Sequence, residues 1–199
     1  MSPRHYNMER REAAVQQTRE AIVAATMRCH ARRGILDTTV QDVAREADVA
    51  LGTVYRHFPT LNDLVRACGA ASMQLLDLPD RAAAKQRFSG VRRHSERIER
   101  LVDAVASLYE PAAKSFIAVR AAADTLPAAA EGHKRMEGAI DVLVDEALAP
   151  LRLGASRRRT ARALLDARFW ETLTEHGLDG ESRRRELVRL LTCTVRSAR

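Results

Sequence analysis

Aromatic residues are scarce in this chain of 199 residues, only 4% of the total with a single Trp. A core at that level must come from Ala, Leu and Val, which all suit helices. Glycine and proline are also few, nine and six. No stretch alternates apolar and polar residues over a strand's length with β-branched enrichment, so the composition points to an all-α fold. The three cysteines, Cys29, Cys68 and Cys193, form no CxxC pair. A disulfide scaffold or a zinc ribbon is therefore not expected, and a reduced, cytoplasmic setting fits. Met1–Glu12 lacks the apolar stretch of a signal peptide. No apolar run approaches the roughly 20 residues that span a bilayer.

Catalytic signatures are missing as well. There is no GxxxxGK[ST], no GxGxxG after a strand and no GxSxG. His5, His30, His57, His94, His133 and His176 show neither HExxH nor HxxxH spacing, and Glu171 and Glu175 beside His176 read as surface carboxylates. The sequence predicts no enzyme, no cofactor, no metal site and no catalytic residue.

Hydrophobic residues make up 46%, enough for one or two cored domains, and the net charge is +7. That charge permits an acidic partner such as nucleic acid. Residues 1–66 carry 10 Arg against 8 Asp and Glu, so only +2 lies there. A nucleic-acid reader with this balance depends on where its charges sit and on doubling by dimerisation.

Residues 1–11, with Arg4, Arg10 and Arg11, read as a flexible basic arm. A first helix follows over Glu12–Arg33, with Ile22, Ala25 and Cys29 at three- and four-residue spacing. Gly34 stands where a left-handed residue would stop it. Thr38 with Gln41 fits a capping box and Thr39 with Asp42 a near variant. In the next helix, Val40–Ala47, the residues Val40, Val43, Ala44 and Ala47 form one apolar stripe. A turn at Asp48–Ala50 leads to a third helix, Leu51–Phe58, ended by Pro59. Thr60 then caps a helix to about Leu76. Further helices are predicted at about Asp80–Phe88, Ser95–Tyr109, Pro111–Thr125, Pro127–Leu148, Ser156–His176 and Glu181–Ser197.

Short helices joined by a tight turn suit DNA because the major groove, about 12 Å wide, admits one helix, while the preceding helix braces it. Val54 and Phe58 lie four apart and would pack inward with Val49. Leu51, Gly52, Thr53, Tyr55, Arg56 and His57 are left outward. Gly52 lets the backbone approach closely. Thr53 offers a hydroxyl and a methyl, Tyr55 and His57 can donate to phosphates, and Arg56 can reach a phosphate or guanine. Gln41 can touch a base edge or phosphate. The Thr39 hydroxyl and the amides that open the second helix suit a phosphate oxygen.

The run Thr38-Thr39-Val40-Gln41-Asp42-Val43-Ala44-Arg45-Glu46-Ala47-Asp48-Val49-Ala50-Leu51-Gly52-Thr53-Val54-Tyr55-Arg56-His57-Phe58-Pro59 closely resembles the tetracycline-repressor (TetR) family. So do Thr18–Val23, Gly34 and Leu64 after Asp63, over about Thr18–Arg66. The resemblance implies a helix-turn-helix DNA-binding domain over 12–66, with its motif at 39–58. It also implies a C-terminal helical bundle over 67–199 that binds a small-molecule effector and dimerises through its last two long helices. The implied function is a ligand-responsive repressor, acting as an Ω-like homodimer on a palindromic double-stranded DNA operator; the alternative is an architectural or non-responsive DNA binder. Four positions depart from the family pattern. Asp48 replaces the usual turn glycine and His30 an aromatic core residue. Ala50 replaces a serine cap, a change worth roughly 0.5–2 kcal/mol. Leu61 replaces a phosphate-binding lysine.

In the C-terminal part, Met73, Phe116, Arg120, Met136, Phe169 and Trp170 are candidate ligand-lining residues, since methionines and aromatics line adaptable cavities and Arg120 could anchor an anion. Leu164, Leu165, Arg168, Thr172, Leu187, Leu191 and Val195 lie on helices with one apolar face and are candidate dimer contacts.

Overall fold

The computed structural model describes the backbone of residues 3–196 and the side chains of residues 8–196. Among these there is no strand, and the α-helices are α1 (Pro3–Arg33), α2 (Val40–Glu46), α3 (Leu51–His57), α4 (Leu61–Leu75), α5 (Arg81–Phe88), α6 (His94–Ala122), α7 (Pro127–Leu148), α8 (Ala155–Leu164), α9 (Ala167–Glu175) and α10 (Gly180–Arg196). No helix of the described residues is long and apolar enough to cross a membrane. Residues 1–2 and 197–199, the outer ends of the expected arm and of the last helix, lie outside the described residues, as does the Arg4 side chain.

Three helix boundaries differ from expectation, each for a local reason. Residues 3–11 are helical, continuous with α1, and not an irregular arm. Pro3 brings a preset φ to the first position, and no glycine interrupts the run to Arg33. Pro111 lies inside α6 and does not break it. Its missing N–H removes one helical bond, but Leu108, Tyr109, Ala112 and Ala113 on either side are buried, and that packing holds the helix. The helix expected over Ser156–His176 is two, because the Asp166 carboxylate accepts the Arg168 N–H at 2.8 Å and starts α9 afresh.

The chain divides into two compact units. The first runs through Leu75, past the boundary expected at 66, and includes Ala118–Gly132. Its main core joins Ile22, Ala25 and Cys29 of α1 to Val43 and Ala44 of α2, Val54 of α3, Phe58 and Leu64. A second cluster gathers Ile35, Val65, Ala122, Ala128 and Ala129, with Leu61 packed against it. The Ala128 N–H, an orphan donor in the first turn of α7, donates to Asn62 Oδ1 at 2.9 Å. His30 is half-buried: its Nδ1 lies 3.6 Å from Cys68 Sγ, and its Nε2 is buried without a partner. Burial holds its pKa down, from 6.5 to about 4.

The second unit comprises Leu76–Ile117 and the chain from His133 onward. Arg97 is buried at 6% exposure. It donates to the Phe88 and Val91 carbonyls at 3.0 and 2.9 Å, to Ala147 O at 2.9 Å, and to Glu146 O. These acceptors sit at the C-terminal ends of α5 and α7, where a cation is favoured by the helix dipoles. Tyr109 is edge-on to Phe116 with centroids 5.0 Å apart and lies 6.0 Å from Trp170. Its hydroxyl donates to Leu165 O at 2.8 Å. α10 packs on α8 and α9.

Two stability outcomes follow. Arg97→Met keeps the apolar stem but strands several buried acceptors, and it should lower the urea-unfolding free energy by about 3 kcal/mol. A loss under about 1 kcal/mol would mean that these carbonyls find other donors. For His30 the folded pKa is the lower one, so the unfolded chain takes up the proton first on acidification. The folded state therefore loses stability as pH falls from 6.5 through about 4 and is unaffected above. His30→Phe should show a shallower fall in unfolding free energy across that window than the parent; identical slopes would contradict it.

Candidate nucleic-acid interface

The interface begins with the caps of α2. Thr39, not Thr38, is the N-cap. Its hydroxyl donates to Asp42 Oδ2 at 2.7 Å and accepts from the Asp42 N–H at 3.2 Å, and its own N–H donates to Asp42 Oδ2 at 3.1 Å. These bonds and the neighbouring arginines hold the Asp42 pKa below its usual value. The expected Thr38–Gln41 box does not form, because Thr38 is buried and donates to Gly34 O at 2.7 Å. The Thr39 hydroxyl is thus committed to the cap, and Gln41 is left exposed.

Between α2 and α3 the chain reverses at Asp48, whose φ of +53° is left-handed. Asp tolerates this region better than most residues, which explains how it replaces a glycine there. α3 then starts at Ala50 with no side-chain cap.

Within α3, Val54 is fully buried and Phe58 nearly so. Their seating turns the rest of the helix outward. Gly52, Tyr55 and Arg56 are exposed, Thr53 and His57 half-buried. A Cβ at Gly52 would meet nothing within 4 Å, so the glycine answers no packing demand inside the chain. Leu51, expected on the outer face, instead leans on the core cluster. Leu61 is likewise drawn into the cluster around Val65 and Ala122. The seven residues of α3 include no carboxylate, and its outer polar groups are the Thr53 and Tyr55 hydroxyls, the Arg56 guanidinium and the His57 imidazole.

Other neighbours of α2 and α3 come from α1. The Arg19 guanidinium lies 4.3 Å from the Phe58 ring centroid and donates to His57 O at 3.4 Å. Further along, Arg28 pairs with Glu46 at 2.6 Å, Arg32 with the same carboxylate, and Arg33 with Asp42 at 2.9 Å. The two arginine hydrogen bonds hold the Glu46 pKa down at about 2. Sequence inspection assigned no role to Arg19, Arg28 or Arg32. One signal was available for Arg19: it sits three residues before Ile22 and seven before Thr26, on the buried line of α1, where an arginine needs a partner.

The candidate effector residues are divided between the two units. Met73 and Arg120 belong to the first unit, and Phe116, Met136, Phe169 and Trp170 to the second. Phe116 and Met136 are core, 3% and 2% exposed. Trp170 alone of the six lines a cleft of about 280 Å³, which also involves Glu110, Lys114, Glu171 and Arg183. There Arg183 lies over the indole at 4.6 Å, and Lys114 is 3.9 Å from Glu171. Of the candidate dimer contacts, Leu165, Leu187 and Leu191 are buried within the chain at 1% exposure or less. They are core because α10 closes over α8 and α9. Arg168 and Thr172 are exposed, and Leu164 and Val195 half-buried.

Residues 22–68 match the family described as bacterial regulatory proteins, tetR family. Over 60 residues the chain is 37% identical to the HTH-type transcriptional regulator TtgR of Pseudomonas putida, a segment spanning 30% of this chain and 29% of that protein. A TetR-family structure from Streptomyces coelicolor A3 shares the fold with a TM-score of 0.58 at 23% identity, covering 87% of this chain and 97% of that one. The regulator FadR of Bacillus subtilis, solved with stearoyl-CoA, does so with a TM-score of 0.56 at 17% identity, covering 86% and 96%. The sequence match falls on the segment whose turn, caps and outward face are described above, and the fold likeness extends over most of the chain. Residues 22–68 are thus a segment similar to the tetR family of bacterial regulatory proteins, and the chain spans under a third of the length of the curated relatives it matches.

Proposed function

We propose that this protein is a sequence-specific DNA-binding transcriptional regulator, a ligand-responsive repressor that acts as a homodimer on a palindromic operator. The observation that carries the reading is α3 itself: a helix set by the left-handed turn at Asp48, with Val54 and Phe58 inward and an acid-free outer face. Arg56 and Tyr55 are the main readers, Gly52 admits the backbone, and Thr53, His57 and Gln41 contribute polar contacts. Thr39 acts through the cap that orients the start of α2. Two-fold symmetry is supported by the geometry of palindromic reading, in which half-sites lie about 34 Å apart. Leu164, Arg168, Thr172 and Val195 remain available for a partner. Effector response is supported by the stearoyl-CoA complex of the similarly folded FadR and by the cleft beside Trp170. A non-responsive, sequence-tolerant DNA binder is the second reading, favoured by the modest +2 charge of residues 1–66 and by the packing of Leu61.

The test is fluorescence anisotropy with a palindrome taken from the protein's own upstream region, at stated salt. Tight binding to the palindrome with weak binding to a scrambled duplex is expected. Equal affinity for both, vanishing with modest salt, would leave only the second reading. Arg56→Ala should weaken operator binding by about 1–3 kcal/mol without lowering the melting temperature. Ala50→Ser restores a capping hydroxyl and should stabilise the DNA-binding domain by about 1 kcal/mol in urea unfolding. No gain there would mean that the α3 start is already satisfied.

A further inference from the structure

α3 has an unusual problem at each end. Its N-cap, Ala50, supplies no side-chain acceptor. At its C-terminus, the residue placed to donate to Tyr55 O is Pro59, which has no N–H. Of the terminal amides, the Phe58 N–H donates to Val54 O at 2.8 Å. A seven-residue helix in this condition has no stability of its own.

Arg19 meets this need from 38 residues away in sequence. Its Nη1 donates to the His57 carbonyl at 3.4 Å, and its guanidinium covers the Phe58 ring with Cζ 4.3 Å from the centroid. The group is part-buried, and it brings a positive charge to the negative end of the α3 dipole. Phe58 is the C-cap residue and also a member of the core. One side chain therefore holds both the last carbonyl of the helix and the ring that anchors it.

We propose that Arg19 is a positioning residue for DNA reading: it fixes the C-terminal end of α3 and so sets the angle at which Tyr55 and Arg56 are presented. The claim rests on the regulator reading above. Arg19 itself touches no base; it acts through His57 and Phe58. Losing it leaves the core of Ile22, Val43 and Val54 in place but lets the end of α3 fray. Specific binding needs the helix in one pose, whereas non-specific binding to phosphates tolerates several.

The test uses the full-length chain and its Arg19→Gln and Arg19→Lys variants. In Arg19→Gln, affinity for the operator should fall about tenfold while affinity for a scrambled duplex holds. Without DNA, amide exchange at Thr53–Phe58 should speed up while α1 and α2 stay protected. Arg19→Lys, which restores the charge over the ring, should recover most of both. Unchanged exchange in α3 would overturn the proposal whatever the DNA result. So would equal loss on operator and scrambled duplex with a shallower salt dependence, which would make Arg19 a phosphate contact. Faster exchange spread evenly over α1, α2 and α3 would make it an ordinary core residue and also overturn it. Failure of the parent chain to prefer its operator would instead overturn the regulator reading, and the exchange data would still decide whether Arg19 holds α3.

Discussion

The burial of Val54 and Phe58 is the constraint on which the outward face of α3 depends. α3 has seven residues and no capping side chain, so it is helical only because these two side chains sit among Ile22, Ala25, Val43 and Ala44. The same seating decides which side chains are offered outward. Once the two positions four residues apart are turned inward, Gly52, Tyr55 and Arg56 must face outward, and half-buried Thr53 and His57 flank them. Everything around α3 serves that pose: the left-handed Asp48 sets its entry, and Arg19 and Pro59 stand at its exit.

The chain is rich in arginine, yet much of that charge is committed within the fold. Arg28, Arg32 and Arg33 tie α1 to carboxylates of α2. Arg97 closes the ends of α5 and α7, and Arg162 bridges Glu137 and Asp141 of α7. A net charge of +7 therefore says little about affinity for DNA. In the proposed reading what matters is the guanidinium of Arg56, on a helix that carries no carboxylate. Asn62 and Leu61 make a parallel point. Leu61, where a phosphate-binding lysine would stand, is used for packing, while Asn62 caps the start of α7. The first turn of α4 thus works as a joint inside its own unit.

Legibility was uneven, for physical reasons. Helices with a single apolar stripe and a clear stop were readable, as with α2, α3 and α7, because burial periodicity and glycine or proline punctuation are local. α6 and α8–α9 were misread because local signals were outweighed: Pro111 looks like a break but is carried by buried neighbours, and Asp166 interrupts a stripe that looks continuous. The outer face of α3 was legible except at Leu51, which is apolar enough to fold back on the core. For the candidate dimer residues periodicity cannot separate core from interface, since a buried Leu and an interface Leu share the same spacing.

By itself, then, the sequence determined the all-helical class, the α2–turn–α3 unit and the side chains offered outward from α3. Those follow from turn chemistry and from spacing within one helix. Only the tertiary structure decided that Thr39 rather than Thr38 caps α2, that Leu165, Leu187 and Leu191 are interior, and that Arg19 grips the end of α3. Each of these rests on which of several eligible partners lies within reach. For Arg19 that partner is 38 residues away, and no local pattern can report it.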